Sequence, residues 1–382
     1  MRRRKVFYIA GFDPASPRKY HGIFSVESAK QAAVTGGRIA VGPLEERGEI
    51  ASGWSVVAER DGHRVEVDYE CLRWNDIVRQ MWPKVDLVFF LRVWRALFVY
   101  GRRGVLALPS RTVLVTALAP VIAGTVYLIL YAAVVALACL AGAAAARSLG
   151  WPVWTLGLAP LLLWLAATPL WMQVDRRVPV TWLGRGMVCV SDAARGRHGA
   201  MEERLDQFAR RLIGAAAEPG WDEILIVGHS MGCQQAARAV GRAVRLDPGF
   251  GTGATPISLL TLGQLIPLYS LMRDDGAYAD DFAALLGATT IPWVDITGPS
   301  DPGSVCEVHP LAGLKLGETP PGRPLRWSPR FHAVLSAGTY RKLRRAPLGF
   351  HFQYLMASEL PGGYDYFDFI TGARALGQAA AA

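Results

Sequence analysis

The sequence predicts an α/β fold, a mostly parallel sheet with helices on both faces, which a two-helix transmembrane hairpin interrupts. Short apolar segments alternate with segments of helical periodicity on either side of the middle of the chain. Two long stretches in the middle carry no charged side chain. A Gly-rich turn joins one apolar segment directly to a helical one.

Composition excludes several classes of protein. The chain has 382 residues, 51% hydrophobic and 19% charged, which excludes an intrinsically disordered protein. Its net charge of +9 comes from basic residues that gather around the apolar stretches, and no nucleic-acid-binding motif accompanies them, so we expect no nucleic-acid partner. The five cysteines are scattered and form no C-x-x-C pair, which indicates unpaired thiols in a reducing compartment.

Residues 1–111 are predicted to form the first part of the α/β domain. The apolar run at 6–10 favours a strand over a signal peptide, because it stops at Asp13-Pro14 without a cleavage site. Asp61-Gly62 is a typical hairpin turn between two alternating segments. The predicted elements are a strand at 6–10, a helix at 25–34, strands at 54–59 and 64–69, and a helix at 75–82.

Residues 85–100 are rich in Trp, Phe and Arg. This composition is typical of a helix that lies along a membrane surface. It is equally typical of an ordinary amphipathic connecting helix, and the sequence leaves both interpretations open.

Residues 112–174 are predicted to form the transmembrane hairpin. Neither 112–146 nor 148–174 contains a charged side chain, and a helix of about 20 apolar residues crosses a bilayer core. The alternative is two buried helices of a large soluble core, although such helices rarely need so many apolar residues.

Basic residues predict the orientation of this hairpin. They flank both spans, whereas the turn between the spans carries only Arg147, so the positive-inside rule places both long flanks in the cytoplasm. We therefore expect an integral protein of the bacterial inner membrane with two spans. The flanking basic residues are Arg92, Arg95, Arg102, Arg103 and Arg111 before the hairpin, and Arg176, Arg177 and Arg185 after it.

Residues 175–382 are predicted to form the second part of the α/β domain. Apolar runs and helical spacing again alternate in this part of the chain. The predicted elements are a strand at 187–190, a helix at 202–217, a strand at 223–227, a helix at 234–244, strands at 257–262 and 291–296, and a final strand at 330–335.

A nucleophile motif stands between the strand at 223–227 and the helix at 234–244. Gly228-His229-Ser230-Met231-Gly232 matches the pattern G-x-S-x-G, in which a sharp strand-to-helix turn exposes the serine Oγ. The flanking glycines remove side chains that would clash in the strained backbone. The helix N-terminus directs backbone N–H groups at the oxyanion that develops during acyl transfer.

With this motif in this context, the chain resembles an α/β-hydrolase of the serine esterase or lipase type. The resemblance implies that an acid and then a histidine follow Ser230 in the chain. It also implies an oxyanion hole made by the N–H of Met231 and an N–H from an earlier strand-to-helix loop. Gly11-Phe12 stands in the place of that loop, where the family more commonly carries His-Gly, so Phe12 is the expected second donor.

Asp301 is the predicted acid. It lies in the Gly- and Pro-rich loop after the strand at 291–296, where the family usually carries this residue. The alternative is Asp295, which lies within the strand pattern and whose side chain can point to either face. Four further aspartates are expected to be solvated in a lid or surface loop, namely Asp274, Asp275, Asp280 and Asp281.

His351 is the predicted general base, because an imidazole titrates near neutrality and the loop before the last helix is where the family places this residue. His332 is the alternative, in the predicted strand at 330–335. His309 follows Asp301 too closely to leave room for another strand. The remaining histidines precede Ser230 or adjoin it, namely His21, His63, His198 and His229.

The apolar segment 265–272 is predicted to form either a lid or acyl-binding wall above Ser230, or a buried packing helix. Together, these features predict a membrane-anchored serine hydrolase that cleaves lipid or acyl esters. The alternative is a membrane adaptor that keeps the fold without activity. The expected partners are the bilayer and an ester substrate. We expect no metal or nucleotide cofactor, since the sequence has no metal-ligand spacing, Walker loop or G-x-G-x-x-G after a strand.

Overall fold

The structure, a computed structural model, describes residues 1–84, 87–150, 152, 162, 165, 166, 173, 180–196, 199–314, 316, 322–346 and 348–381. Over these residues the protein is α/β, with one mixed sheet of nine strands covered by helices. Alternate side chains of the central strands enter two separate apolar clusters, one on each face of the sheet. In β1, for example, Phe7 and Ile9 enter one cluster, while Val6 and Tyr8 enter the other. The predicted α/β fold class is confirmed.

The strands are β1 (Arg3–Ile9), β2 (Arg38–Val41), β3 (Glu45–Glu46), β4 (Ala51–Arg60), β5 (His63–Leu72), β6 (Glu223–His229), β7 (Ile257–Leu262), β8 (Trp293–Ile296) and β9 (Leu325–Trp327). The described helices are α1 (Pro17–Thr35), α2 (Asn75–Met81), α3 (Leu87–Arg102), α4 (Arg111–Leu149), α5 (Val180–Ala193), α6 (Gly199–Ala217), α7 (Gly232–Leu246), α8 (Ile266–Ser270), α9 (Gly276–Gly287), α10 (Phe331–Val334), α11 (Ala337–Arg344), α12 (Gly349–Gln353), α13 (Tyr366–Thr371) and α14 (Leu376–Ala381), with a 3-10 turn at Val105–Ala107.

The order of the strands creates a crevice at one edge of the sheet. The order is β2-β4-β5-β1-β6-β7-β8-β9, with β3 beside β4, and the strands from β5 to β9 run parallel. From β1 the chain first builds the β5 side and later returns to β6 on the other side. Ligands of open α/β sheets bind beyond the carboxyl ends of the strands at such a switch point. The loops after β1, β6 and β8 therefore surround the expected site.

Two predicted strands are helices instead. Residues 187–190 lie within α5, and residues 330–335 contain α10, while the last strand is β9. Short apolar runs do not distinguish a strand from a buried helix. Only three residues long and partly exposed, β9 has no apolar run that would reveal it.

Asp281 is buried and not solvated as predicted. It lies in α9 and forms ion pairs with Arg238, Arg242 and Arg245 of α7. The three arginines follow one face of α7 at spacings of four and three residues, a pattern in the sequence that indicates an acidic partner.

Three helices, α3, α4 and α5, pack against one another beside the crevice, and we call them the cap. The first turns of α4 bury Val113, Ala117 and Val121 in the same apolar cluster as Phe12 and Met231. Arg92 and Arg95 of α3 both bind Asp192 of α5. The cap is therefore joined to the folded core through the first turns of α4.

Beyond Val121, most of α4 lies outside this core, although Tyr127 and Leu128 still pack against it. Its stretch Arg111–Ser148 is long and apolar enough to cross a membrane, and only 6% of its most apolar window is buried. Large apolar side chains such as Ile122, Ile129 and Leu140 are exposed there. The predicted second span, residues 148–174, lies almost entirely outside the described residues.

Candidate active site

Ser230 occupies a strained turn between β6 and α7. Its φ is 58°, in the left-handed region that costs a residue other than glycine about 1–3 kcal/mol. A Cβ on Gly228 would lie 2.6 Å from Cys233 Cα, and one on Gly232 would lie 2.2 Å from the Ile9 carbonyl oxygen. The two motif glycines are therefore required because the turn packs tightly against both α7 and the end of β1.

His351 and Asp301 form a buried pair beside this turn. His351 Nδ1–H donates to Asp301 Oδ2 over 2.9 Å, and both side chains are at most 1% exposed. The Gly303 N–H donates to Asp301 Oδ1 over 2.8 Å, so both carboxylate oxygens accept a hydrogen bond. A proton on Nδ1 leaves the lone pair of His351 on Nε2, the atom that a general base uses.

Gly303 joins this pair to Ser230. It lines the same pocket as Ser230, and a Cβ on it would lie 2.7 Å from His351 Nδ1. The His351 ring also contacts Trp182 of the same pocket, with ring centroids 6.2 Å apart. His351 Nε2 is buried and has no hydrogen-bond partner among the described residues, Ser230 included. The imidazole thus lies at the pocket edge with its basic nitrogen unpaired.

Two residues of the same pocket have backbone N–H groups without an acceptor among the described residues. Phe12 and Met231 both line it, and neither N–H donates a hydrogen bond to any described residue. A Cβ on Gly11 would lie 3.1 Å from Ser230 Oγ, so only glycine lets the β1 loop approach the hydroxyl this closely. Met231 is the N-cap residue of α7, where the helix dipole favours negative charge. These are the two donors that the sequence predicts.

The pocket over Ser230 is apolar. Its walls come from the cap and from Leu265 and Leu268. These two residues lie in the segment predicted to be either a lid or a packing helix. The helix α8 in this segment is buried and also forms part of the pocket wall. None of the described residues that line the pocket is charged. The Thr116 hydroxyl, one of the few polar groups there, donates to the Thr112 carbonyl.

The structure does not bring the alternative acid and base to this pocket. Asp295 accepts hydrogen bonds from Thr261 and Thr297, and burial raises its pKa to about 6. His332 is exposed on α10, where its ring contacts Tyr340. Asp301 and His351 are the acid and base that lie together.

His229 is a residue of this site whose role the sequence did not reveal. Its Nε2–H donates to the His351 carbonyl over 2.8 Å, and burial lowers its pKa to about 3, with His351 nearby as a second cause. A neutral His229 therefore fixes the backbone of α12 at His351. The two residues are 122 positions apart in the sequence, so no local pattern could predict this contact.

Among the described residues, no group of three or more His, Cys, Asp and Glu side chains is arranged to hold a metal ion. Comparison of the chain with protein-family models found no match. Comparisons with curated proteins and with solved structures found none either. What the site does must therefore be argued from its own residues.

Proposed function

We propose that the protein is a serine hydrolase of the α/β-hydrolase type, anchored in a membrane, which cleaves carboxylic esters through an acyl-enzyme. One observation carries the proposal: the strained Ser230 shares its pocket with two unpaired N–H groups and borders a buried His-Asp pair with a free Nε2. Backbone strain and unpaired polar atoms cost stability, and they persist where they serve a function.

The proposed reaction has two steps. Ser230 Oγ attacks the acyl carbonyl while His351 Nε2 takes its proton, and Asp301 stabilises the imidazolium. The N–H groups of Phe12 and Met231 bind the oxyanion, and His351 returns the proton to the leaving alcohol. Water, activated by the same histidine, then hydrolyses the acyl-enzyme and regenerates Ser230.

A fluorophosphonate probe tests this proposal, because it reacts only with an activated serine. We expect Ser230→Ala to abolish labelling and ester turnover. Ser270→Ala is the matched control, since Ser270 is also buried and its hydroxyl donates to the Ile266 carbonyl of its own helix, α8. Labelling that survives in Ser230→Ala would refute the assignment of the nucleophile.

The second candidate function is a membrane adaptor without activity. It is favoured by the missing hydrogen bond between Ser230 Oγ and His351 Nε2. Such bonds are often long in the absence of substrate and tighten when it binds. The adaptor predicts no labelling of the wild-type protein, whereas the hydrolase predicts labelling that both Ser230→Ala and His351→Ala remove.

The proposed anchor is a two-helix hairpin in the bacterial inner membrane, with the catalytic domain in the cytoplasm. The apolar, exposed length of α4 supports the first span. Reporter fusions test the topology: alkaline phosphatase joined after Gly150 should be active, and a fluorescent protein joined at the C-terminus should fluoresce. The reverse pattern would contradict the orientation.

A further inference from the structure

One helix, α4, both lines the pocket and carries a long exposed apolar surface. Val113, Thr116 and Ala117 of α4 line the pocket over Ser230. Ile122, the first large exposed apolar side chain after them, lies five residues beyond Ala117, an axial rise of about 8 Å. A linear ligand that follows α4 out of the pocket therefore meets exposed apolar surface after a short distance.

A second helix that lines the pocket is α5, which brings no charge to it. Leu183, Gly186 and Met187 line the pocket opposite α4, and a Cβ on Gly186 would lie 3.2 Å from Met231 Cε. Burying a charged ligand group between such walls would cost several kcal/mol without a partner. The chemistry of the walls selects an uncharged, apolar acyl group.

The outer face of α3 continues this apolar surface. Its buried face carries Phe89 and Val93, yet four large apolar side chains point outward and are 47–63% exposed, namely Val88, Leu91, Trp94 and Phe98. Arg102 and Arg103 follow at the end of the helix. An apolar stripe beside basic side chains is typical of a helix at the interface of a bilayer with anionic lipids.

We infer that the pocket binds a long, uncharged acyl chain that enters from the bilayer along α4, with its ester at Ser230. The inference rests on the proposed hydrolase function and names its substrate class, a long-chain acyl ester held in the membrane. Ala117 and Leu183 are then the residues that determine chain length, because they face the pocket from the two helices.

A chain-length series of nitrophenyl esters, from acetyl to palmitoyl, tests this inference with the full-length protein in lipid nanodiscs. We expect kcat/KM to rise with chain length, and Ala117→Phe to lower the ratio of palmitoyl to acetyl kcat/KM at least tenfold. Leu183→Trp should do the same from α5. A ratio unchanged in both variants would overturn the inference.

Val115→Phe is the matched control for Ala117→Phe. Val115 lies two residues away on α4, is 58% exposed and does not line the pocket. We expect the same kcat/KM as for the wild type at every chain length. If Val115→Phe instead lowered the palmitoyl ratio as much as Ala117→Phe, a general disturbance of α4 would explain the result and the pocket assignment would fail.

A second measurement separates this inference from the hydrolase proposal. A hexadecanol carrying a mid-chain diazirine is photo-cross-linked to Ser230→Ala protein, which needs no activity. We expect adducts on the peptide that contains Met187, reduced at least fivefold by Ala117→Phe. Adducts confined to the exposed residues after Val121 would overturn the inference. Normal adducts without any ester turnover would overturn only the hydrolase proposal.

Discussion

The crevice of the sheet and the cap are built in opposite ways. In the crevice, polar atoms are fixed by short hydrogen bonds and by backbone contacts that only glycine permits, as at Gly11, Gly232 and Gly303. The cap offers the pocket mostly apolar side chains. It is joined to the acid loop by the hydrogen bond from Thr112 Oγ1 to the Ser304 carbonyl, 2.7 Å long. For the proposed hydrolase, this difference predicts that the crevice determines the chemistry and that the cap determines which substrates bind.

The largest effect is expected from the acid. Asp301→Asn removes the carboxylate that fixes the Nδ1–H tautomer of His351, so we expect kcat to fall about 10³–10⁴-fold, as in other serine triads. Steady-state kinetics on a short ester provide the measurement, because a short acyl group contacts few residues of the cap. Asp295→Asn is the matched control and should leave kcat within threefold, because the Asp295 carboxylate accepts hydrogen bonds from Thr261 and Thr297 and does not contact His351 in the described part of the chain. Equal losses in both variants would contradict the assignment.

A smaller loss is expected from Gly303→Ala. The new methyl group would lie 2.7 Å from His351 Nδ1 and must displace the imidazole. A misplacement near 1 Å costs about 100-fold in rate, so we expect a fall in kcat of that order for short and long esters alike. Gly276→Ala is the control, because no atom lies within 4 Å of its added Cβ. A loss restricted to long esters would contradict this prediction, because it would mean that Gly303 affects binding of the acyl chain and not the position of His351.

The cap contact should matter least. Thr112→Val removes the hydrogen bond to the Ser304 carbonyl, the contact between the cap and the acid loop, and a local one with the Ser110 hydroxyl. Each hydrogen bond contributes about 0.5–1.5 kcal/mol, so we expect a fall in kcat/KM of roughly tenfold. Thr125→Val is the control, since Thr125 bonds only within α4. A loss as large as that of Asp301→Asn would mean that the cap positions the acid, and the division between chemistry and access would fail.

Buried Asp295 should make the stability of the protein depend on pH. Burial raises the pKa of Asp295 to about 6, so its contribution to stability is complete below its ordinary pKa and is lost as the pH rises through 6. Asp295→Asn should therefore raise Tm at pH 7.5 by a few degrees and change it little at pH 4. Thermal inactivation of detergent-solubilised protein at both pH values is the measurement. A lower Tm at pH 7.5 would contradict the conclusion that the buried Asp295 carboxylate destabilises the protein at this pH.

The sequence predicted the crevice better than the cap. The Gly228–Gly232 pattern lies between a strand and a helix whose apolar periodicities are unambiguous, and the order of acid and histidine followed from the resemblance. Asp301 and His351 do lie together, but the contacts that fix them come from Gly303 and His229, which only the tertiary fold brings near. Local patterns do not contain such long-range contacts.

The cap was predicted incompletely for a different reason. Residues 187–190 form a short apolar run that is as typical of a strand as of the buried helix α5. The charge-free stretch at 112–146 was enough to predict α4, which is long and apolar enough to cross a membrane. The first two turns of α4 line the pocket because α4 packs against α5. No local sequence pattern predicts this packing.

Mass spectrometry of a trapped acyl-enzyme is the sharpest test of Ser230 as the nucleophile. Wild-type protein is mixed with an excess of a slowly hydrolysed long-chain ester and quenched within one turnover, and the intact and digested masses are recorded. The hydrolase account predicts a burst of released alcohol and an acyl group on Ser230, both absent from His351→Ala. Ester turnover without an adduct on Ser230, or an adduct that forms equally fast in His351→Ala, would contradict it.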